Sequence, residues 1–414
     1  MKNLFIAIFL LLGLSSNAQN KVTLSVQNPA NTSRNFEVVE VDAQKIKQKL
    51  STDSFIITDA DGKEIASQQT YDGKLIFQAS VGAKGKSVYY AVPGTPAEYK
   101  KKAAGRLFHE RGTEFGWEND CVAYRIYGGG AAVGYDIFNK STDELMLDYW
   151  YKSEENKEMR SVTKQLRERG YGELADEVYN VFCYHIDHGK GMDCYTVGPT
   201  LGAGANALVN KDGSLCMPKC YEKYEILDNG PIRFTVKFTY PEIEYEGQKV
   251  RETRLLTLDA GSNFNKVVVS YSGLSSAPTM ASGVVIHKQN PNGYIMNKES
   301  GYIGYEDLGD EGTYSYIPKR YHAPLASQMG KIYVGTIYPT AVKDMKFIEK
   351  VNGAATGHAL AISPLNPKTY SLTYYFGTGW SKNPNAGLNS LTDWEALLAK
   401  VAKNMKAPIK VAIK

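Results

Sequence analysis

Short runs in which apolar and polar residues alternate recur through almost the whole chain, and this period of two restricts the fold more than any other feature. Val22, Leu24 and Val26 alternate with other residues, and residues 122–127 and 234–240 repeat the pattern downstream. Such a period is typical of β-strands, whose successive side chains point to opposite faces. Turn-forming residues separate the runs. The sequence therefore predicts a mostly β fold.

The chain is predicted to contain two domains, because its 414 residues exceed the length of a typical single domain. Residues 19–98 consist of short strands divided by turns, which predicts a small β-sandwich. Residues 99–414 are again rich in strands and form the predicted larger, catalytic domain. A stretch rich in lysine, alanine and proline, residues 94–105, is interpreted as the linker between them.

Two helical segments are expected within the larger domain. One runs from about residue 154 to 178 and is broken near Gly170. The other is C-terminal, where Thr392 and Glu395 have the spacing of a capping box. Trp394 and Leu398 then begin an apolar stripe at helical spacing, which predicts packing against a sheet.

The first residues have the pattern of a signal peptide. Lys2 is followed by an apolar run over residues 4–14, and Ser16 and Ala18 are the small residues that precede a cleavage site. We expect cleavage after Ala18 and a periplasmic mature protein. The run is too short for a spanning helix, and no later stretch reaches the roughly 20 apolar residues that such a helix needs. No membrane partner is therefore predicted.

Charge and cysteine content narrow the functional classes further. The formal net charge is +4, and no block of like charges reaches five residues, so we expect no nucleic-acid partner. The five cysteines are Cys121, Cys183, Cys194, Cys216 and Cys220. An oxidising compartment permits disulfides, and Cys216 and Cys220 are close enough to pair, but the odd count leaves at least one thiol free. No CxxC spacing supports a zinc ribbon.

The densest polar segment, residues 184–195, contains two of the six histidines. His185, Asp187 and His188 can converge in a turn, and the glycines around them let a backbone approach a ligand. The functional interpretation is a catalytic loop or a site for a divalent metal such as zinc or calcium, although the spacing matches no strong metal motif. The alternative is a polar turn at the surface. No other cofactor is predicted.

A second segment combines aromatic rings, acids and arginines, which is the mixture that sugar sites use. Aromatic faces cover the apolar faces of a pyranose, and an arginine can hold a uronate carboxylate with two hydrogen bonds. The alternative is a structural ion-pair network at a sheet edge. The candidate substrate-binding residues are Arg111, Trp117, Glu118, Asp120, Tyr124 and Arg125.

Other candidates are weaker. Trp380 lies in a Gly-Thr-Gly-Trp stretch and is a further candidate for contact with a sugar, although the stretch also fits the exit of a last strand. His287, His322 and His358 are isolated in the sequence and are interpreted as structural histidines. No nucleotide-binding loop or hydrolase elbow is present.

Five stretches together resemble a known family: residues 117–120, 123–125, 185–195, 198–204 and 377–382. They resemble a domain-of-unknown-function family of secreted Bacteroidota proteins that serve polysaccharide utilisation. The resemblance covers most of the mature chain. It implies a large domain similar to the galactose-mutarotase-like β-supersandwich, with helical insertions, and an activity like that of the ulvan-oligosaccharide dehydratases. It brings no settled set of catalytic residues.

The most favoured function is elimination of water, or cleavage by β-elimination, on an acidic, uronate-containing oligosaccharide. This chemistry needs a cation to neutralise the carboxylate, a base for the adjacent carbon-bound proton and an acid for the departing oxygen. The candidates are Arg111, Arg125 or Lys190 as the cation, His185 or His188 as the base, and Tyr184 or Tyr195 as the acid. A sugar epimerase or mutarotase and a non-catalytic glycan-binding protein are the alternatives.

Overall fold

The computed structural model describes residues 20–309 and 329–414, so the predicted signal peptide and His322 lie outside the described residues. The described residues confirm the predicted fold class: a mostly β molecule with a small N-terminal β-sandwich, a large β-supersandwich and helical insertions.

The N-terminal unit is a sandwich of two antiparallel sheets with one core. Its strands are β1 Val22–Gln27, β2 Arg34–Asp42, β3 Phe55–Thr58, β4 Glu64–Ile65, β5 Ser67–Gln69, β6 Lys74–Val81 and β7 Lys86–Pro93, with helix α1 Ala43–Leu50. Leu24, Ile57 and Phe77 are fully buried between the sheets. The Asp42 carboxylate accepts hydrogen bonds from two backbone N–H groups at the start of α1 and caps that helix.

The large unit contains two facing sheets that share an extensive core. The strands of the smaller sheet are β13 Asn206–Val209, β14 Leu215–Cys216, β20 Thr279–His287, β24 Asp344–Asn352 and β25 Ala355–Pro364. Those of the larger sheet are β15 Lys223–Asn229, β16 Arg233–Thr239, β17 Ile243–Tyr245, β18 Gln248–Asp259, β19 Phe264–Ser272, β21 Tyr294–Asn297, β22 Tyr302–Leu308, β23 Lys331–Ile337 and β26 Ser371–Trp380. In β18, buried and half-buried residues alternate from Val250 onward, and the buried set includes the ion pair of Glu252 with Arg254.

A third sheet of the large unit positions the candidate site. Its strands are β8 Ala103–Phe108, β9 Glu114–Asn119, β10 Ala123–Tyr127, β11 Asp136–Lys140 and β12 Gly191–Met192. Because side chains alternate along a strand, Trp117 and Tyr124 point into the large core, whereas Arg125 and its cross-strand neighbour Asp136 lie on the opposite face. Helices α2 Leu147–Glu154, α3 Lys157–Glu168 and α4 Gly172–Asn180 form an insertion between β11 and β12.

The helices correct the sequence interpretation in two places. The break at Gly170 is present, with φ of +82°, but the insertion begins at Leu147 and breaks again before α3. The C-terminal helix, α5 Leu391–Lys406, is capped by Ser390, whose hydroxyl accepts from the backbone N–H of Asp393. The predicted capping box is therefore wrong by two residues. The expected packing of Trp394 is confirmed, because its ring is fully buried and stacks on Phe264 at 5.5 Å between ring centroids.

The end of the chain returns to the N-terminal unit. Strand β27, Lys410–Ile413, pairs antiparallel with β1, placing Ile413 opposite Leu24. The predicted division had assigned residues 99–414 to the large domain, but these last residues complete the N-terminal sheet. All five cysteines are free, so Cys216 and Cys220 do not pair. Within the described ranges, no helix is long and apolar enough to span a membrane.

Candidate functional site

The aromatic residues proposed to stack on a sugar lie in the core. Trp117 has no exposed surface, stacks on Tyr124 at 5.5 Å between ring centroids and donates from Nε1 to Asn265 Oδ1 at 2.8 Å. Trp380 is also buried, and its Nε1 donates to the Met329 carbonyl oxygen at 2.5 Å. Since both ring faces of a buried residue contact protein, the structure contradicts the prediction that these residues offer a sugar platform.

Two acids from the same stretch stabilise local structure and do not form a ligand site. Glu118 is buried and accepts from Lys140 Nζ at 3.0 Å and from the backbone N–H groups of Met146 and Leu147 at 2.7 Å each. Asp120 Oδ1 accepts from a backbone N–H of the β18–β19 turn at 2.6 Å. The predicted role of these two acids in substrate binding is therefore not supported by their contacts.

On the opposite face of the third sheet lies a buried ion-pair network that we call the Arg125 cluster: Glu114, Arg125, Asp136, Tyr184 and Asp193. Arg125 Nε donates to Asp136 Oδ2 and Nη2 to Asp193 Oδ2, both at 2.7 Å. Its Nη1 donates to the Tyr184 hydroxyl at 3.3 Å and lies 3.5 Å from Glu114 Oε2. Every nitrogen of this guanidinium is thus engaged, so Arg125 orders the surrounding acids and is not available to a substrate carboxylate.

Two sequence-predicted residues form the more exposed rim of this cluster. The Arg111 side chain is 34% exposed, with Nε 3.3 Å from Glu114 Oε1 and Nη1 3.2 Å from Glu155 Oε1. His185 Nδ1 lies 2.8 Å from the Asp193 carbonyl oxygen. A carbonyl oxygen can only accept, so Nδ1 carries the proton and Nε2 is the basic nitrogen of the neutral ring. His185 and Arg125 thus contact the same residue, Asp193.

Burial fixes the protonation of this cluster. Burial and the nearby Arg125 lower the pKa of His185 to about 3, so the ring is neutral at neutral pH. Burial also raises the pKa of Asp136 to about 6, against the opposing effect of Arg125. The pKa of the Tyr184 phenol is raised by burial, which keeps its hydroxyl protonated. The pKa of Asp193 is raised in the same way.

The remaining residues of the His-Asp-His segment do not join the cluster. Asp187 Oδ1 accepts from two backbone N–H groups of its own loop, at 2.8 and 3.0 Å. His188 is exposed, and its Nε2 lies 3.1 Å from the Cys183 carbonyl oxygen. Lys190 Nζ lies 2.7 Å from a carboxylate oxygen of a surface glutamate. The predicted metal set is wrong, because His185, Asp187 and His188 do not converge. Among the described residues, no three His, Cys, Asp or Glu side chains are arranged so that they could hold a metal ion.

A second polar group, which the sequence interpretation missed, lies where β20 and β22 meet the segment that follows β12. His287 Nδ1 is 2.8 Å from Asp307 Oδ2, and both side chains are buried. Tyr305 donates to Asp307 Oδ1 at 3.2 Å. The Tyr195 ring lies edge-on to His287 at 5.7 Å between centroids. His287 is thus isolated along the chain but not in space, and no local sequence pattern indicated this pairing, because Asp307 lies on a different strand. His358 fits the structural interpretation, as its Nε2 accepts from a backbone N–H at 3.1 Å.

The segment 193–195 joins the two groups. Asp193 contacts Arg125 and His185, whereas Tyr195 contacts His287. Two buried atoms of this segment, Asp193 Oδ1 and the Tyr195 hydroxyl, have no hydrogen-bond partner within the described part of the chain. Buried polar atoms are normally hydrogen-bonded, so these two belong to a small set of buried atoms whose partners are not found among the described residues.

Comparison with known proteins agrees with the fold and extends over nearly the whole chain. The relative named "Uncharacterized protein P7", from Formosa agariphila, is 23% identical over 415 residues, covering 94% of this chain and 93% of that protein. An alpha-mannosidase from Enterococcus faecalis V583 matches with a TM-score of 0.51 and 9% identity, over 95% of this chain but 46% of the mannosidase chain. This chain therefore spans less than half of that structure, and the likeness shows the fold alone. The family described as "Domain of unknown function (DUF4861)" matches residues 26–411, and the chain belongs to that family.

Proposed function

We propose that this protein is a carbohydrate-active enzyme that eliminates water from a uronate-containing oligosaccharide, or cleaves it by β-elimination. The observation that carries the proposal is the buried acid–base site at segment 193–195, where neutral His185, protonated Tyr184 and partly exposed Arg111 lie near Asp193. Asp193 Oδ1 and the Tyr195 hydroxyl in this segment have no hydrogen-bond partner among the described residues. The fold shared with an alpha-mannosidase supports a carbohydrate substrate. The resemblance to ulvan-oligosaccharide dehydratases of Bacteroidota supports an acidic one.

Elimination next to a carboxylate starts with charge neutralisation, because the carbon-bound proton leaves only when the developing negative charge is stabilised. Arg111 is suited to this step: Nε and Nη1 contact Glu114 and Glu155, which leaves Nη2 for a ligand among the described contacts. It is also more exposed than Arg125. We therefore assign the substrate carboxylate to Arg111.

The departing oxygen needs a proton, and Tyr195 is the best-placed donor. Burial raises the pKa of Tyr195 well above its ordinary value, and Asp307 and Asp136 add to the effect, so the hydroxyl stays protonated at neutral pH. His185, which contacts Asp193 of the same segment, is neutral at neutral pH.

A sugar epimerase or mutarotase is a second candidate, favoured by one observation. The His287–Asp307 pair supplies a histidine and an acid without any need for a charge-neutralising arginine. An epimerase leaves the mass of its substrate unchanged and alters its optical rotation. Elimination instead creates a carbon–carbon double bond conjugated with the carboxylate, and this bond absorbs ultraviolet light.

The deciding experiment is incubation of the purified protein with matched panels of acidic and neutral oligosaccharides, followed by mass spectrometry and ultraviolet absorbance. We expect either the loss of one water or chain cleavage, with new absorbance, on acidic members only. Altered rotation at constant mass would support the epimerase instead. Binding without any chemical change would contradict both enzymatic proposals and support a glycan-binding protein.

The proposal includes export to the periplasm, which the first residues suggest. The mature protein is then expected to begin at Gln19. Amino-terminal sequencing of protein recovered from the periplasm of the native cells tests this, and an intact Met1 would contradict it.

A further inference from the structure

The helical insertion contains a groove of about 410 Å³ that the proposed reaction does not use. One wall is a single face of helix α3, on which Arg160, Lys164 and Arg167 recur at intervals of four and three residues. The other wall is formed by Tyr179, near the end of α4, and by Phe182, which follows that helix. We call this space the α3–α4 groove. It places three cations opposite two aromatic rings.

Two of the cations, Lys164 and Arg167, already have acidic partners, but these ion pairs are exposed to water. Lys164 Nζ lies 3.7 Å from Glu168 Oε1, and the lysine side chain is 78% exposed. Arg167 Nη2 lies 2.6 Å from Asp176 Oδ1, and the arginine side chain is 47% exposed. Exposed ion pairs contribute little to stability, because water and salt screen them. Sharing these cations with an oxyanion of a ligand therefore costs little.

The third cation, Arg160, connects the groove to the rim of the Arg125 cluster. Its Nη2 lies 3.1 Å from Glu155 Oε1, and Arg111 Nη1 lies 3.2 Å from the same oxygen. Arg160 Nε donates to the Glu154 backbone carbonyl oxygen at 2.6 Å, which holds the guanidinium at the junction of α2 and α3. Because the two arginines share one carboxylate oxygen, the groove begins next to the residue assigned to the substrate carboxylate.

The aromatic wall is fixed to the same cluster. The Tyr179 hydroxyl donates to Glu154 Oε1 at 2.9 Å, and Glu154 Oε2 accepts from the backbone N–H of Tyr184 at 3.3 Å. The buried Phe182 ring packs edge-on against Tyr179, with 5.2 Å between the ring centroids. Tyr179 is partly exposed, so its ring can cover the apolar face of a pyranose while the cations of α3 bind anionic substituents.

We infer that the α3–α4 groove binds a second anionic sugar of the acidic oligosaccharide whose first carboxylate is held by Arg111. This inference rests on the proposed function and deepens it, because it requires a substrate with more than one acidic sugar. From Arg160 to Arg167 the helix rises by about 10 Å, which exceeds the length of one pyranose ring. A uronate carboxylate and a sulfate ester share the oxyanion chemistry that Arg167 and Lys164 bind.

Calorimetric titration with uronate oligosaccharides of one to four sugars tests this inference. Wild-type affinity should rise by about tenfold to a hundredfold when the second anionic sugar is added, because charge-assisted hydrogen bonds form. Arg167→Gln and Lys164→Gln should each reduce this gain, and the double variant should abolish it. Both positions are exposed, so the variants should fold. Arg169→Gln, at an exposed position of α3 outside the groove, should keep the full gain.

Neutral and sulfated oligosaccharides of equal length complete the design. A gain with uronate or sulfated chains that the double variant loses supports the inference, and the larger gain identifies the oxyanion. An equal gain with neutral chains, or a gain that the double variant retains, would overturn it.

The titration measures affinity and not turnover, so the two proposals can fail separately. If wild-type protein gains no affinity with length but still eliminates water from a short acidic oligosaccharide, the groove is wrong and the proposed function stands. If the gain is present but no acidic member reacts, the groove stands and the enzymatic proposal is wrong. Absence of binding by every acidic member would contradict both.

Discussion

A single stretch, residues 111–125, supplies side chains to two places with opposite chemistry. Trp117 and Tyr124 complete the apolar core, whereas Arg111 and Arg125 serve the polar cluster on the other face of the sheet. Strand alternation explains this division, since neighbours along a strand point to opposite faces. Residue type alone suggested one sugar site made of all these side chains; the alternation decides which of them can meet.

Replacing Arg111 tests the role of charge at the rim. Arg111→Gln should weaken binding of a uronate oligosaccharide by about tenfold to a hundredfold, because one hydrogen bond to a charged group is lost. Binding of a matched neutral oligosaccharide should change little. Calorimetric titration measures both affinities, with Arg169→Gln, an exposed arginine at the end of α3, as the control. Equal losses for the two ligands would contradict charge recognition by Arg111.

His185 should make the protein sensitive to acid. Its pKa is about 3 in the folded chain against 6.5 for an ordinary histidine, so its contribution to stability is complete above 6.5 and is lost as the pH falls below that value. Between about pH 7 and about pH 4.5 this contribution should fall by roughly 2 kcal/mol. Asp136, whose pKa is raised to about 6, acts in the opposite direction.

The comparison of variants isolates the His185 contribution. Urea denaturation at about pH 7 and about pH 4.5 measures how much unfolding free energy is lost on acidification. This loss should be smaller for His185→Gln than for wild type, because glutamine takes up no proton. His188→Gln should keep the full wild-type loss, since that ring is exposed. An unchanged acid response in His185→Gln would show that the folded protein does not hold this ring neutral.

Helix α2 depends on a side chain from a distant strand. Its N-cap residue, Met146, provides no side-chain hydrogen bond. Glu118, on β9, instead accepts from the first two backbone N–H groups and pairs with buried Lys140. A carboxylate at a helix N-terminus is favoured by the helix dipole as well. Glu118 therefore joins the third sheet to the helical insertion.

Removing this carboxylate should loosen the insertion. Glu118→Gln leaves Lys140 buried without its charge partner, and we expect the free energy of unfolding to fall by about 3 kcal/mol. Urea denaturation measures the loss; Glu158→Gln, an exposed acid in the first turn of α3, should change stability by less than about 0.5 kcal/mol. Loss of substrate affinity at unchanged stability would instead restore the predicted sugar-binding role of Glu118.

The periodicity of the sequence predicted where strands and helices form better than it predicted which of them lie side by side. The alternation of β1 and the break at Gly170 were predicted from the sequence, because each depends on residues within a few positions. The pairing of His287 with Asp307 was not, since the hydrophobic pattern of a strand fixes which face is buried but not which strand lies beside it. For the same reason, the sequence marked residues 184–195 as a polar segment but could not show which of its side chains meet: His185 joins the Arg125 cluster, whereas Asp187 and His188 do not.

The two units are joined by polar contacts and by the chain itself. Arg233 of β16 pairs with Glu40 of β2 at 2.6 Å, from Nη1 to Oε1. Arg34 of β2 donates to the backbone carbonyl oxygens of Asn404 and Ala407, just before the final strand. These contacts border a cleft of about 520 Å³ between the units. The N-terminal sandwich is therefore held against the large unit by direct contacts and not by a flexible linker alone.

Strand β27 is a contact with the N-terminal unit that a truncation can remove, because it pairs with β1 at the end of the chain. Ending the chain after Ala407 deletes three partly buried apolar residues, Ile409, Val411 and Ile413, and exposes the edge of β1. Each half-buried apolar side chain contributes roughly 1 kcal/mol, so the free energy of unfolding of the N-terminal unit should fall by about 3 kcal/mol. Limited proteolysis should then cut within residues 20–98 first, whereas Lys410→Ala, a change at an exposed position of the same strand, should resist like wild type.

Because the Arg125 cluster has no contact with β27, its chemistry should survive in the intact truncated protein at low temperature. Equal protease resistance of the truncated and full-length chains would mean that the N-terminal sheet is complete without its last strand.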